Sequence, residues 1–256
     1  MRIAVAGGTG TVGRHVVRAA KAAGHDTVVL SRAAGVDLMN AAGLADRLAG
    51  VDAVIDTSAP STLSTKKAIA FFGTITPNLL AAERAAGVHH HVLLSIIGAA
   101  DADSGYYAGK RLQEQQVISS GAAWSLLRTT QFHEFAQQTV DRGTTLGVFL
   151  APRMRSRPIA ASAVATELVA IAADGPQGHV ADLAGPKEES MPDLVRRYAR
   201  TAGRHHPVLP VTVPGPMGRA MRNGGLLPHP GARHDTLTFD EWLAISLAER
   251  LSVRLR

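Results

Sequence analysis

The stretch "RIAVAGGTGTVGRHVVRAAKAAG", residues 2–24, constrains the fold more than any other part of this chain. A short apolar run ends at Gly7, with Gly8 beside it, and Gly10 and Gly13 follow at three-residue spacing. Apolar residues then take the helical period, and Gly24 supplies a stop signal. Glycine permits positive φ and close backbone approach. A strand, a glycine loop and a helix in this order therefore aim unpaired helix N–H groups at an anion such as a pyrophosphate.

The alternation of strand and helix continues. "DTVVLSR" reads as a second strand, "AAGLADRLAG" as a helix, "VDAVIDT" as a third strand and residues 63–86 as a long helix. "HHVLLSI" is strand four, the next helix runs to about Ser120, and "AAWSLLRTT" is strand five. This order predicts an α/β fold, a Rossmann-type doubly wound parallel sheet with right-handed crossovers. After residue 150 the rhythm changes. "SAVATELVAIAADG" remains helical and "HVADLAG" strand-like, but residues 186–235 are rich in proline and glycine, and "TFDEWLAISLAERLSVRLR" closes as an amphipathic helix. The expected organisation is a dinucleotide-binding domain over 1–150. Residues 151–256 would complete the sheet and form a small substrate lobe at the carboxyl ends of the strands.

Composition narrows the function. Cysteine is absent, which excludes disulfides and thiolate metal sites and suits a reducing cytoplasm. No apolar run reaches the roughly 18–20 residues of a membrane helix, and the run at the start is too short for a leader. Net charge is +6, but the basic residues are dispersed (Arg14, Arg18 and Lys21; Arg153, Arg155 and Arg157; Arg250, Arg254 and Arg256) and aromatics are 4%. That pattern describes a solvated surface, or one that attracts small anions, rather than a nucleic-acid binder. "HHH" at 89–91 lacks the spacing of a metal site, and no metal is expected.

The end of strand two bears on the cofactor. NAD-binding chains place a carboxylate there for the ribose 2′-hydroxyl. Here Ser31 and Arg32 occupy that point, with no acid until Asp37, and Arg14 stands on the first turn after Gly13. A guanidinium holds a 2′-phosphate that a carboxylate would repel, so NADPH is favoured over NADH.

The glycine spacing, the arginine after strand two and the Tyr-x-x-x-Lys of "YYAGK" together resemble the short-chain dehydrogenase/reductase superfamily. "GGTGTVGR", "VLLSIIGA" and "YYAGKRLQEQ" followed by "SGAAWSLLRTTQFHEF" are similar to its atypical, NmrA-like branch. The resemblance covers residues 1 to about 135. It implies that Thr9, Gly10, Thr11 and Val12 line the pyrophosphate and that Asp37 and Leu38 approach the adenine. Thr57, Ser58, Ala59 and Pro60 would lie along the cofactor, and Ser95, or else Ile97, would take the place of a substrate-polarising serine.

Tyr106 and Lys110 are four residues apart, and Tyr107 and Lys110 three apart, so either tyrosine can share a helix face with the lysine. The superfamily spacing selects Tyr106 as proton donor, its pKa lowered by Lys110, which would also hold the nicotinamide ribose. In "TTQFHEF", after strand five, Gln131, Phe132, His133 and Phe135 are candidate substrate contacts. Two functions follow. One is an NADPH-dependent reductase of a carbonyl or quinone-like small molecule. The other is a catalytically silent NADP(H)-binding redox sensor that signals through a protein partner. Beyond that, a small-molecule substrate and at most a second copy of the chain are the expected partners.

Overall fold

The computed structural model describes residues 1–101 and 103–254, with side chains to residue 248. The basic tail positions Arg250, Arg254 and Arg256 fall outside the described side chains. In chain order the first half holds β1 (Arg2–Ala6), α1 (Gly13–Ala22), β2 (Asp26–Leu30), α2 (Leu44–Arg47), β3 (Ala53–Asp56), α3 (Thr65–Ala86), β4 (His90–Ile96), α4 (Gly105–Ile118) and β5 (Trp124–Thr129). Then come α5 (Glu134–Asp141), β6 (Phe149–Pro152), β7 (Arg155–Ser156), α6 (Ala161–Asp174), β8 (Gly178–His179) and β9 (Leu183–Ala184). The chain closes with β10 (Glu189–Ser190), α7 (Met191–Thr201), β11 (Val208–Val211), α8 (Gly215–Asn223), β12 (Arg233–His234) and α9 (Phe239–Arg254).

Two compact units result. The first comprises residues 1–129 and 162–181, and the second residues 130–161 and 182–256. The composition change near residue 150 thus falls inside the second unit, because α6 and β8 return to the first.

Within the first unit the strands run parallel in the order β2-β1-β3-β4-β5-β8. Register pairs Val5 with Ile55, Ile55 with Val92 and Leu93 with Leu126. These strands are near-continuous apolar runs, as a parallel sheet covered on both faces requires. The doubly wound α/β expectation holds. The helix expected over "AAGLADRLAG" shrinks to the four residues of α2, because Gly43 and Gly50 both take positive φ and bound it. "HVADLAG" forms two short pieces, β8 and β9, rather than one strand.

The longest helix, α3, begins where the Ser64 hydroxyl accepts the Lys67 N–H and ends on Gly87 in the left-handed region. Phe72, Ile75 and Leu79 of α3 join Ala4, Leu30 and Val54 of the sheet in the main core. It meets α4 at Gly109. A Cβ at Gly109 would lie 2.7 Å from Phe72 Cδ2 and 2.9 Å from both the carbonyl carbon and the Cβ of Ala68. Only glycine lets the two helices approach this closely.

The second unit is built of short paired segments. β6 runs parallel to β11, β7 antiparallel to β10, and β9 parallel to β12. Its core gathers His133, Phe239 and Trp242, the histidine ring centroid 5.4 Å from that of Phe239 and 5.6 Å from that of Trp242. The Trp242 indole donates to Glu134 Oε1 at 3.2 Å. Among the described residues no helix is long and apolar enough to cross a membrane.

Two stability predictions follow from this packing. Gly109→Ala adds helix propensity but drives its methyl into Ala68 backbone, so overpacking wins at a net cost of about 1–2 kcal/mol. Thermal unfolding followed by circular dichroism should show a melting temperature lower by several degrees. Burial lowers His133 to about 4, against about 6.5 in the unfolded chain, so the folded state resists its protonation. Its contribution is complete above pH 6.5 and is lost as pH falls toward 4, by about 2 kcal/mol at pH 5. Urea unfolding at pH 7.5 and pH 5 should show this loss in the wild type and a smaller loss in His133→Phe.

Candidate functional site

At the first βα turn Gly7 adopts φ +73°. Its N–H donates to the Leu30 carbonyl at 2.9 Å, and its own carbonyl accepts from Gly10 N–H at 2.8 Å. A Cβ at Gly13 would sit 2.2 Å from that Gly7 oxygen, and a Cβ at Gly7 would sit 2.9 Å from Ser58 Cα. The loop therefore packs backbone on backbone between the ends of β1 and β3. Among the described residues no side chain caps α1 and no acid stands in its first turn, which leaves its positive end open to an anion. Thr9 and Gly10 are exposed and Thr11 half-buried, whereas the Val12 side chain is buried and offers only backbone outward. These features fit a pyrophosphate.

Beside this loop, Ser31 follows β2 and its hydroxyl accepts the Ala34 N–H at 3.3 Å. Arg32 follows, exposed and with no carboxylate partner among the described residues. Asp37 Oδ1 accepts the Met39 N–H at 3.0 Å, and the Leu38 carbonyl accepts from Asn78 at 3.0 Å. Asp37 also lines a cleft of about 330 Å³ with Gly35, Val36, Asn40 and Arg47. On α1, Arg14 Nε lies 3.4 Å from His15 Nε2 and Arg18 Nη2 lies 3.1 Å from His15 Nδ1. Burial, then the two guanidiniums, lowers His15 to about 4, so it stays neutral between them. At the end of β3 the Thr57 hydroxyl donates to the Ala6 carbonyl at 2.8 Å, and the Ser58 N–H donates to Asp56 Oδ1 at 2.8 Å. Ala59 is exposed and Pro60 half-buried beyond them.

The expected dyad lies on α4 with a different arrangement. Lys110 is buried, and its ammonium donates to the Leu94 carbonyl at 2.8 Å and to Gln113 Oε1 at 2.7 Å while lying 4.8 Å from the Phe72 ring centroid. Gln113 in turn donates to Asp56 Oδ2 at 2.8 Å. Burial lowers Lys110 to about 8, with the Asp56 and Glu114 carboxylates opposing the shift. Tyr106 packs on Phe72 and Tyr107, at ring-centroid distances of 5.8 and 6.3 Å. Burial raises the Tyr106 pKa, and Tyr107 and Asp56 push the same way. The sequence reading has Lys110 lowering that pKa. In this structure the ammonium bonds to Leu94 and Gln113, and Tyr106 shifts upward.

Ser95 is also engaged. It is buried on β4 and donates to Glu114 Oε1 at 2.5 Å, and Glu114 receives Arg128 through both oxygens, at 3.0 and 2.6 Å. Ile97, the other reading of that position, is buried with its N–H on the Thr129 carbonyl.

The remaining candidates belong to the second unit. Gln131 is buried and accepts from the Ser156 hydroxyl, while Phe132 and Phe135 are half-buried. His133 is a core residue: its Nε2 donates to the Leu237 carbonyl at 3.3 Å, and its buried Nδ1 has no partner among the described residues. A neutral, enclosed imidazole of this kind is poorly suited to donate a proton.

Asp56, Gln113, Glu114 and Glu83 escaped the sequence reading. Glu83 of α3 accepts from His91 Nδ1 at 2.8 Å inside the fold, so the third residue of "HHH" has an acid partner. Burial opposes charge on both groups, yet the Glu83 carboxylate holds the His91 pKa above its ordinary value. Their one local signal is polar side chains on helix faces that should otherwise be apolar.

Comparison with known proteins agrees with this geometry. Residues 7–175 match the family model described as NAD(P)H-binding. An NAD(P)H azoreductase of Xenophilus azovorans is 31% identical over 228 residues, covering 79% of this chain and 74% of the relative. The NADPH complex of an NADPH-dependent quinone oxidoreductase from Escherichia coli superposes with a TM-score of 0.71 at 19% identity, over 96% of this chain and 99% of that one. A triphenylmethane reductase of Citrobacter superposes with a TM-score of 0.62 at 16% identity, over 87% of each chain. The family match and the azoreductase relative show that the chain belongs to the NAD(P)H-binding family.

Proposed function

We propose that this protein is an NADPH-dependent reductase of small conjugated acceptors, quinone-like or azo-like. NADPH supplies a hydride from the nicotinamide C4, and a proton from water completes the conversion of quinone to hydroquinone. The observation that carries the cofactor choice is Arg32, an exposed cation just after β2, beside the glycine loop, with no carboxylate partner among the described residues. The first acid after it, Asp37, is turned to the Met39 N–H. The azoreductase relative supports reduction of a conjugated acceptor.

The acceptor class follows from acid–base chemistry. Hydride addition to a simple ketone leaves a strongly basic alkoxide and needs a well-placed acid. Tyr106 has its pKa raised, Lys110 is held by Leu94 and Gln113, and Ser95 is held by Glu114. A quinone spreads the incoming charge over its ring, and water protonates it without a dedicated residue. Conjugated acceptors are therefore favoured over simple ketones. The same engaged side chains also suit a redox sensor. Absence of NADPH oxidation across a broad quinone and azo panel, with tight and form-selective cofactor binding, would favour that second reading.

Arg32→Asp should lower kcat/KM for NADPH by about tenfold or more and leave NADH much less affected, since a charge-assisted contact to the 2′-phosphate is replaced by repulsion. Steady-state kinetics with both cofactors measure this, and an unchanged ratio would remove Arg32 from the site. Tyr106→Phe should keep turnover of 1,4-naphthoquinone within about twofold. A loss of several hundredfold would instead identify the phenol as proton donor.

A further inference from the structure

The buried ammonium of Lys110 stands at one end of a relay whose other end reaches the glycine loop, all of it inside the first unit. Lys110 Nζ donates to Gln113 Oε1 at 2.7 Å, and Gln113 Nε2 donates to Asp56 Oδ2 at 2.8 Å. The other carboxylate oxygen, Oδ1, accepts the Ser58 N–H at 2.8 Å and the Ser58 hydroxyl at 2.5 Å. Asp56 and Gln113 are fully buried, and Lys110 and Ser58 nearly so.

Ser58 is in turn the surface on which Gly7 rests. A Cβ at Gly7 would lie 2.9 Å from Ser58 Cα and 3.0 Å from both the Ser58 nitrogen and the Thr57 carbonyl oxygen. The Gly7 carbonyl holds the Gly10 N–H at 2.8 Å, and Gly13 packs against that same oxygen. With glycine on one side and main chain on the other, no side chain can flex to absorb a shift of Ser58. Any displacement would pass straight into Gly7 and Gly10.

The Ser58 turn depends on a buried charge. A carboxylate taken out of water needs a counter-charge, and Lys110 supplies it to Asp56 across the Gln113 amide. Burial lowers the Lys110 pKa, and the Asp56 carboxylate, ahead of Glu114, resists that shift, so each ion stabilises the other. Without the ammonium, burial would drive a proton onto Asp56, and a neutral carboxyl holds a backbone N–H less strongly than a carboxylate does. We propose that Lys110 is a positioning residue for the cofactor diphosphate: through Gln113 and Asp56 it fixes Ser58, and with it the floor of the glycine loop, without touching the nicotinamide ribose. This role rests on the loop binding a diphosphate and is independent of which acceptor is reduced.

Calorimetric titration with ADP and with NADP separates the two roles of Lys110, because ADP carries the diphosphate and lacks the nicotinamide ribose. Lys110→Met keeps most of the side-chain volume and removes its charge. It should weaken ADP and NADP by the same factor, about fivefold or more. In the double variant Lys110→Met with Asp56→Asn, both buried charges are gone while an amide oxygen still accepts the Ser58 N–H. Both affinities should then return to within about twofold of wild type. A loss confined to NADP, in either variant, would put Lys110 on the ribose and overturn the proposal. Unchanged binding in Lys110→Met would also overturn it, as would an ADP loss that the second substitution fails to restore, the mark of a packing defect. If Lys110→Met does not fold, the double variant decides alone: wild-type affinity for both ligands supports the positioning role, and a loss for either rejects it. A wild type that binds neither ADP nor NADP overturns the diphosphate site and this proposal with it. Failure to oxidise NADPH with quinones would reject only the reductase reading, since these affinities do not depend on turnover.

Discussion

The first unit is organised around a contact that involves no side chain: Gly13 resting on the Gly7 carbonyl. A single added Cβ would fall 2.2 Å from that oxygen, and another at Gly7 would meet Ser58. Removing side chains lets the ends of β1 and β3 and the first turn of α1 converge within backbone contact. That convergence presents the uncapped positive end of α1 beside the end of β2, where Arg32 stands. Phosphate recognition in this fold is thus a packing property of the backbone before it is a matter of any side chain.

A second constraint lies beneath the sheet ends. Asp56, Gln113, Lys110 and the Leu94 carbonyl form a buried chain that ties β3 and β4 to α4. A buried ammonium is tolerable only when its donors are satisfied, and removing one partner from such a pair costs several kcal/mol. Lys110 meets that demand inside its own unit, with the Phe72 face as a third neighbour. The consequence for chemistry is direct. The ammonium's hydrogen bonds go to Leu94 and Gln113, and burial shifts the Tyr106 phenol upward. Ser95 is diverted by the same logic, since Glu114 and Arg128 need a buried partner network on the adjacent strand.

The alternation of apolar runs and helical periods determined by itself the parallel sheet, the position of the phosphate loop and the family. Each of these depends on local pattern: a continuous apolar run for a doubly covered strand, and glycines where backbone must approach backbone. The cation after β2 was legible for the same reason, because it follows its strand within two residues. Only the tertiary structure decided what the polar side chains do. Whether Lys110 meets Tyr106 or Gln113, whether Ser95 meets a substrate or Glu114, and whether His133 faces solvent or Trp242 depends on groups distant in the chain. A polar atom taken out of water must find a partner, and which partner is within 3 Å is set by how strands and helices pack rather than by spacing along one helix.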